Sequence, residues 1–365
     1  MRQNETGLKN NQNPKNDAPQ ASLDSQGLLS WYDSHGRQLP WRHYWPDLAP
    51  AYHVFLSELM LQQTVVATVI PYFHNFIKRW PDLEALAAAP LEDVLEAWAG
   101  IGYYARARNL HKTAQLLVSE YNGAFPDNTE ALKTLPGIGP YTAGAIASFA
   151  FDKPAIVIDG NIERVLSRYF GLRTPLPALK AEIGAIFLSL IPDKRRSDFP
   201  QALMDLASLV CQPKTAACDI CPLLDNCAAA RWNDPTILPV KPPKMAKPVR
   251  SGQAFVLFNQ KGEVAVQRRP AKGLLGGMLG FPSHGWDKSK AHFQEQALRG
   301  VNPKALIQSA SISHIFTHFK AEIEILRVNW PANTPLPEPL FWTDTDTALP
   351  TLMAKILKSA QKSPE

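Results

Sequence analysis

Apolar residues recur every three or four positions along most of the chain up to Val210, which predicts a succession of amphipathic helices. Polar or proline positions interrupt this pattern around Gln62–Thr64, at Pro71 and at Pro90, where we expect helices to end. No stretch in this part alternates between polar and apolar residues, so it is predicted to be all-helical. The predicted helical segments are residues 28–32, 53–77, 82–99, 108–121, 141–149, 178–190 and 199–210.

The pattern changes toward the C-terminus. Residues 254–258 and 264–267 are apolar runs joined by a turn at Gln260–Gly262, which predicts a β-hairpin. Residues 319–328 alternate between polar and apolar positions and predict a further strand, and a short helix is predicted at 292–298 before it. The C-terminal part is therefore predicted to be a small α+β domain.

Length and local composition suggest where these parts begin and end. A chain of 365 residues is long enough for two or three domains. Its beginning is polar and rich in Asn and Gln, which predicts disorder, and Trp232–Ser251 holds five prolines and four basic residues, which predicts a semi-rigid linker. The predicted organisation is a leader at 1–25, a helical domain at 26–231, a linker at 232–250 and a C-terminal domain at 251–365.

The net charge and the positions of the cysteines indicate which partners and which cellular compartment suit the chain. The net charge of +5 is compatible with a polyanionic partner without being evidence for one. Apolar runs stay shorter than the roughly 18 residues that a membrane span needs, and the N-terminus lacks the apolar core of a secretory signal. All four cysteines lie close together, whereas a disulfide framework would scatter them, so we expect a reducing, cytoplasmic compartment.

The four cysteines, Cys211, Cys218, Cys221 and Cys227, follow a C-x6-C-x2-C-x5-C arrangement. Zinc sites usually pair two C-x2-C knuckles across a longer gap, and this chain has a single knuckle. Four thiolates within a short segment suit one compact cluster, and cubane iron–sulfur clusters take four cysteine ligands. The spacing therefore favours a [4Fe-4S] cluster, with zinc as the alternative.

A glycine-punctuated turn precedes the helix predicted at 141–149. Gly137 and Gly139 allow a positive φ and a close approach of the backbone to a ligand, and the N-terminus of the following helix suits a phosphate. Asp159 follows as the only charged side chain between Lys153 and Glu163. A phosphate-binding turn near an isolated carboxylate suggests an enzyme that holds a nucleic-acid backbone and does chemistry beside it.

Glu58 is a second isolated carboxylate, the only formal charge between Asp47 and Lys78. Because its neighbours are Leu and Met, burial should raise its pKa and keep it partly protonated, as a general acid requires. The alternative is an exposed glutamate near a helix N-terminus, where the helix dipole favours it.

Two segments mix arginine with aromatic residues. Residues 36–42 contain Arg and Trp, which together can stack on a base and hydrogen-bond to it. Residues 100–110 combine glycines, adjacent tyrosines and two arginines, which suits contact with a nucleic-acid backbone. The alternative for each segment is an ordinary surface loop with exposed arginines.

These motifs together resemble a known family. LPGIGPYTAGAI resembles the helix-hairpin-helix of the DNA glycosylase superfamily, and VIDGNIERVLSR carries that superfamily's aspartate. The four-cysteine segment resembles the cluster loop of the endonuclease III-like branch. SELMLQQT, GIGYYARARNL and FPQALMDLASLVC are similar to the adenine glycosylases of the MutY type, and GLLGGMLGFP and HIFTH resemble their MutT-like (Nudix) domain. The glycosylase resemblance covers Trp31 to Cys227.

The resemblance implies a multi-domain protein, with an all-α helix-hairpin-helix glycosylase domain followed by a small α+β Nudix-like domain. It implies removal of adenine mispaired with 8-oxoguanine or guanine in double-stranded DNA, by a monomeric enzyme of the bacterial, nucleoid-associated cytoplasm. By similarity, Glu58 protonates the base and Asp159 stabilises or covalently traps the sugar cation, with Asn161 and Tyr141 positioning and polarising. Substrate-binding roles fall to Gln63 and Tyr103 as wedges, to Arg37, Leu39, Trp41, Arg42 and Gln201 around the extruded base, to Gly137 and Gly139 at a phosphate, and to Phe316, Thr317 and His318 at 8-oxoguanine.

Two departures from related sequences refine this expectation. Bifunctional lyases of the superfamily carry a lysine where this chain has Tyr141, and a phenol cannot form the Schiff base that strand cleavage needs. The C-terminal domain has Glu295 alone where an active Nudix hydrolase has a metal-binding glutamate cluster, so no nucleotide pyrophosphatase activity is expected. The competing hypotheses are an endonuclease III-like glycosylase/lyase and a non-catalytic iron–sulfur DNA-binding protein.

Overall fold

The computed structural model describes residues 22–232, 234–242, 246–270, 273–287, 306–332, 334–347 and 349–362, with the backbone alone at 306–309. The chain divides into two compact units. The first unit comprises Met1–Val54, Asp127–Lys133 and Ile138–Pro242, and the second comprises Phe55–Pro126, Thr134–Gly137 and Pro243–Glu365. Within the described ranges, no helix has both the length and the apolar character that crossing a membrane requires.

Eleven α-helices precede the sheet in the described chain, of which nine fall in the predicted helical segments, whereas α7 and α9 were not predicted. Their bounds are α1 Ser25–His35, α2 Ala51–Leu61, α3 Val66–Arg79, α4 Leu83–Ala88, α5 Leu91–Ala97, α6 Ala105–Glu120, α7 Thr129–Leu132, α8 Pro140–Phe151, α9 Gly160–Tyr169, α10 Leu179–Leu190 and α11 Asp198–Leu209. The predicted ends at Gln62–Thr64 and at Pro90 are confirmed. The end predicted at Pro71 is wrong, because α3 continues through that proline. Val69, Phe73 and Phe76 form one buried face of α3, and their packing offsets the hydrogen bond that proline cannot donate.

The first unit is built around α9, which packs against α10 and α11, while α1 packs against α11. Helix α9 is buried along most of its length, including the polar side chains of Arg164 and Arg168. At the N-terminus of α9, the Asp159 carboxylate accepts hydrogen bonds from two backbone N–H groups that have no partner within the helix. The most central helix of this unit therefore carries the predicted catalytic aspartate at its start.

The helical part of the second unit packs α4 and α5 against α6. Aromatic side chains fill its core: Phe76 meets Trp98 edge-on, with ring centroids 5.7 Å apart, and Phe55 meets Phe125 at 5.4 Å. These edge-to-face contacts add to the apolar burial that stabilises the core. They also fix the loop that leads from Trp98 into α6.

The C-terminal part of the second unit is a seven-stranded mixed sheet with the order β3-β2-β1-β6-β5; β4 pairs with β1, and β7 pairs with β2. The strands are β1 Val249–Phe258, β2 Val264–Arg268, β3 Leu279–Gly280, β4 Ser283–His284, β5 Leu306–Ile315, β6 Lys320–Asn329 and β7 Phe341–Thr343. β1 and β6 run parallel, and the other pairs are antiparallel. A final helix, α12 (Thr351–Gln361), packs against β1, β5 and β6.

The predicted α+β character of this part is confirmed. The predicted hairpin is present, with Phe258 opposite Val264, and the predicted strand at 319–328 corresponds to β6. Strands β5 and β7 and helix α12 were not predicted. The helix predicted at 292–298 lies outside the described residues, and the domain boundaries stay predictions.

Two helical glycines of the first unit give a matched stability test. A Cβ at Gly144 in α8 would overlap the carbonyl oxygen of Ile156, whereas a Cβ at Gly184 in α10 would meet nothing within 4 Å. We expect Gly144→Ala to lower the free energy of unfolding by about 1–3 kcal/mol because the backbone must move. Gly184→Ala should raise it by about 0.5–1 kcal/mol through helix propensity. Urea denaturation measures both changes, and equal effects of the two substitutions would contradict this packing of α8.

Candidate active site

Glu58 lies in the last turns of α2 and is buried, with 8% of the residue exposed. Its chain neighbours Ser57, Leu59 and Met60 are more deeply buried still. The sequence also allowed Glu58 to be an exposed glutamate near a helix N-terminus. Its burial shows that this alternative is wrong. The fold therefore shields most of this residue from solvent.

Asp159 lies at the N-terminus of α9, where its carboxylate has three donors. Oδ1 accepts from the backbone N–H of Asn161 at 2.9 Å and of Ile162 at 2.8 Å, and Oδ2 accepts from the Asn161 side-chain amide at 2.7 Å. These bonds and the positive end of the helix dipole fix the carboxylate in one orientation. Asn161, predicted as a positioning residue, is thus in direct contact with Asp159.

A chain of hydrogen bonds continues from Asn161 to the cysteine segment. Arg164 donates through Nη2 to Asn161 Oδ1 at 3.1 Å and to the carbonyl of Ala207 at 2.8 Å, and through Nε to the carbonyl of Cys211 at 2.8 Å. Burial lowers the pKa of the Arg164 guanidinium. The position of Asp159 is therefore tied to the backbone of the cysteine segment.

The four cysteines line one small cavity together with apolar residues. Arg168 is buried and donates to Cys211 Sγ at 3.3 Å. Burial raises the pKa of the Cys221 thiol to about 11, and it also raises the pKa values of Cys218 and Cys227.

Among the described residues, no three His, Cys, Asp or Glu side chains already form a ligand set for a single metal ion. Four thiols around one cavity nevertheless fit a group that fills the space between them, because a cationic metal centre supplies the charge that thiolates need in a buried site.

The predicted adenine-binding segment is held by one buried carboxylate, Asp205 of α11. Asp205 accepts from the backbone N–H of Arg37 at 2.7 Å, from Arg37 Nε at 2.6 Å and from Arg42 Nη1 at 2.7 Å. Trp41 is buried in the same segment, and the turn closes with Arg42 N–H donating to the carbonyl of Leu39. The fold thus brings Arg37 and Arg42 together.

Gln201 lies one turn before Asp205 on α11. It is 4% exposed, and its side-chain amide donates to the carbonyl of Ser197. This bond fixes the orientation of the amide group, so its oxygen is presented in one direction.

The two predicted wedge residues, Gln63 and Tyr103, share an unusual backbone conformation. Their φ angles are 61° and 49°, and both side chains are exposed. A positive φ is uncommon outside glycine and points a side chain away from the direction that a helix or strand would give it.

The glycines of the hairpin turn differ from each other. Gly137 adopts a φ of 78°, and a Cβ there would lie 2.7 Å from the Cβ of Asn109, so glycine is required. Gly139 has a φ of −89° and open space around it. Only Gly137 uses the positive φ that the sequence allowed, and Gly139 leaves the start of α8 accessible.

Tyr141 lies in the first turn of α8 and is partly buried.

The predicted 8-oxoguanine loop joins β5 to β6. Phe316 stacks on Phe319, with centroids 4.6 Å apart, and lies parallel to Trp286 at 6.2 Å. Thr317 and His318 are exposed between these anchors. Phe316 therefore supports the loop from inside, and the two polar side chains are the ones presented to solvent.

Known proteins resemble both the helical part and the C-terminal part of the chain. The family described as "HhH-GPD superfamily base excision DNA repair protein" matches residues 56–185, and a NUDIX domain matches 253–359. The adenine DNA glycosylase of Homo sapiens is 34% identical over 400 residues, covering 92% of this chain and 73% of that protein. That of Buchnera aphidicola subsp. Baizongia pistaciae is 37% identical, covering 70% of this chain and 72% of that protein. The chain belongs to the adenine DNA glycosylase family.

Membership makes the chain a hydrolase that acts on N-glycosyl bonds in base excision repair. A thermostable thymine-DNA glycosylase shares the fold, with a TM-score of 0.50 and 26% identity over 56% of this chain and 94% of that chain. The predicted helix-hairpin-helix glycosylase domain and Nudix-like domain are confirmed. The roles of the individual site residues stay predictions.

Three buried polar residues that organise the site were not predicted, namely Asp205, Arg164 and Arg168. A fourth, Arg106, lies in the segment that was predicted to contact a nucleic-acid backbone or to expose its arginines, and it is buried instead. Asp205 stands alone among Leu, Met and Ala in FPQALMDLASLVC, so the reasoning that singled out Glu58 would also have found it. The three arginines lie in segments with other charges, and nothing in their spacing indicates that they are buried.

Proposed function

We propose that this chain removes adenine mispaired with 8-oxoguanine or guanine in duplex DNA by hydrolysing its N-glycosidic bond. The observation that carries the proposal is a pair of carboxyl groups, one buried on α2 and one held at the start of α9. Glu58 is 8% exposed, and Asp159 accepts three hydrogen bonds at a helix N-terminus. An acid shielded from bulk water and an anion held by hydrogen-bond donors are the pair that glycoside hydrolysis requires.

Each carboxyl group has one task in this mechanism. The glycosidic bond breaks through an oxocarbenium-like sugar, so the leaving adenine needs a proton and the sugar needs nearby negative charge. Glu58 gives its proton to the base, and Asp159 stabilises the cationic sugar until water adds to it. Asn161 keeps Asp159 oriented through the 2.7 Å amide bond. Tyr141, in the first turn of α8, completes the positioning.

A hydrolase without lyase activity follows from Tyr141. A lyase needs an amine that attacks the sugar and forms a Schiff base, and a phenol cannot do this. The rival endonuclease III-like activity is disfavoured on the same ground. Water then completes the reaction, and the DNA strand stays intact after the base leaves.

Adenine must leave the base stack before the acid reaches it, at a cost of a few kcal/mol. Gln63 and Tyr103 enter the space at the mispair. The extruded base is received by the segment that Asp205 holds, with Arg37, Leu39, Trp41 and Arg42, and by Gln201 on α11. The backbone at Gly137 and Gly139 holds a nearby phosphate, which fits the open start of α8.

The lesion on the opposite strand is recognised by the β5–β6 loop. Thr317 and His318 carry the exposed hydrogen-bonding groups, and Phe316 anchors them through its stacking on Phe319. Glu295, the single glutamate of the incomplete Nudix motif, lies outside the described residues. Because the sequence has no other glutamate of that cluster, we assign the C-terminal domain to recognition and not to nucleotide hydrolysis. The partner is duplex DNA, bound by a monomer in the cytoplasm.

A [4Fe-4S] cluster bound by Cys211, Cys218, Cys221 and Cys227 is the proposed cofactor. The shared cavity and the Arg168 bond to Cys211 Sγ support this assignment. When bound, the cluster crosslinks the segment through four metal–thiolate bonds. Arg164 joins the same segment to Asn161, so an ordered cysteine segment helps to hold Asp159 in place.

Removing either carboxylate tests the proposal. Glu58→Gln and Asp159→Asn should each slow single-turnover release of adenine from an 8-oxoguanine:adenine duplex by about 10²–10⁴-fold, because proton donation or charge stabilisation is lost. Gel-shift affinity for the same duplex should persist, since both substitutions keep the side-chain shape. Quenching wild-type reactions with borohydride should give no protein–DNA crosslink. Full release by either variant would overturn the assignment, and a trapped crosslink would show a lyase.

Lesion recognition has its own test in the β5–β6 loop. Thr317→Ala combined with His318→Ala should weaken the preference for 8-oxoguanine:adenine over guanine:adenine by about fivefold for each hydrogen bond lost. Ser313→Ala removes an exposed hydroxyl from the neighbouring strand and should leave the preference unchanged. Competition binding with the two duplexes gives the ratio. A preference that survives the double substitution would rule out this loop as the lesion reader.

The cofactor can be identified directly. Protein purified without oxygen should show a broad visible absorption band and about four iron atoms per chain. Cys221→Ser should lose both, because one of the four ligands is removed. Stoichiometric zinc with no visible absorption would contradict the cluster and support the zinc alternative.

A further inference from the structure

The guanidinium of Arg106 donates hydrogen bonds to carbonyls at the C-terminal end of helix α2. The last carbonyls of a helix have no partner within the helix and carry the negative end of its dipole. Arg106 Nη1 donates to the carbonyls of Leu59 at 2.7 Å, Met60 at 2.9 Å and Gln62 at 2.6 Å. Arg106 therefore caps α2 one turn beyond Glu58.

The same guanidinium also donates hydrogen bonds to carbonyls of the loop before α6. Arg106 Nη2 donates to the carbonyls of Ile101 at 2.8 Å and Gly102 at 3.0 Å. Trp98 Nε1 donates to Gly102 as well, at 2.9 Å, and the faces of Trp98 and Tyr103 lie 5.3 and 5.5 Å from the guanidinium carbon. One planar side chain thus joins two loops that are about forty residues apart in the chain.

Each of the two loops presents one predicted wedge residue. Gln63 directly follows the Gln62 carbonyl that Arg106 binds, and Tyr103 directly follows the Gly102 carbonyl that it binds. Both wedge residues have positive φ angles, and the Tyr103 residue is 52% exposed. The arginine therefore fixes the backbone next to the two side chains whose positions matter for entry into a base stack.

The contacts of Arg106 show what its burial accomplishes. The residue is 7% exposed, and its hydrogen bonds all go to carbonyl or hydroxyl oxygens. Burial lowers its pKa to about 10, so the guanidinium stays charged at neutral pH. Among the described residues, no carboxylate forms an ion pair with Arg106, and burying such a charge costs free energy. The hydrogen bonds to the two loops offset part of this cost.

We propose that Arg106 is a positioning residue that holds Gln63 and Tyr103 as one rigid pair, so that both enter the base stack together when adenine is extruded. This inference rests on the proposed function. Inserting side chains between base steps costs a few kcal/mol for unstacking, and pre-ordering the inserting groups removes the additional cost of ordering two loops during that step. Loss of Arg106 should therefore slow extrusion and leave the initial association with DNA largely intact.

The test follows extrusion separately from hydrolysis. The probe is a duplex with 2-aminopurine opposite 8-oxoguanine, carrying a 2′-fluorine that resists bond cleavage because it destabilises the sugar cation. Stopped-flow fluorescence reports unstacking of the probe base. Arg106→Met should slow the fluorescence rise, and with it adenine release from the normal substrate, by about 10- to 100-fold, which corresponds to about 1.4–2.7 kcal/mol of barrier.

Two further variants separate positioning from charge and from folding. Arg79→Met removes an equivalent positive charge from an exposed site on α3 and should leave extrusion unchanged. Arg106→Lys keeps the charge but cannot span both loops with one ammonium group, so its effect should be intermediate. If Arg106→Met does not fold, Arg106→Lys is carried through the same comparison.

A double-mutant comparison decides the question. In a Gln63→Ala and Tyr103→Ala background, Arg106→Met should slow extrusion by less than about twofold further, because the pair it positions is already gone. An undiminished effect in that background, or unchanged extrusion in the normal one, would overturn the inference. Failure of the wild-type protein to release adenine would instead overturn the proposed function, since fluorescence decides the positioning role by itself.

Discussion

Buried guanidiniums bonded to backbone carbonyls hold the functional segments of this fold in place. Arg106 in the second unit and Arg164 and Arg168 in the first all bind carbonyls of irregular segments. The backbone carbonyls of such segments do not find regular hydrogen-bond partners as those of helices do. A planar guanidinium with five N–H groups can bind several of these carbonyls at once and hold the segment in place. Each of these arginines lies on a helix, and the rigidity of the helix is passed to the loop that it binds.

The proposed chemistry depends on this arrangement because both proposed catalytic carboxyl groups, Glu58 and Asp159, lie near segments that buried arginines hold. Arg106 caps α2 just beyond Glu58, and Arg164 contacts Asn161, which in turn contacts Asp159. A catalytic group displaced by a fraction of an ångström loses much of its effect. Placing the acid and the anion on helices whose ends are fixed from outside meets that requirement.

Much of the fold could be predicted from the sequence, since helical periodicity is a local signal. The cysteine spacing and the isolated charges of Glu58 and Asp159 are local signals too, and the roles assigned from them stay predictions. Helix α3 differed from prediction because tertiary packing outweighed the effect of Pro71. Strand β5 pairs with β6, a long-range relation that no local pattern reports. The role of Arg106 was equally hidden, because its partners at 59–62 are distant in sequence.

The most direct test of the central claim is the partner dependence of adenine release by the wild-type chain. Single-turnover reactions on four duplexes, with adenine opposite 8-oxoguanine, guanine, cytosine or thymine, measure it in one experiment. Our account predicts release from the 8-oxoguanine and guanine mispairs, fastest opposite 8-oxoguanine, and none from the normal pair with thymine. Equal release from the thymine pair, or no release from either mispair, would contradict it.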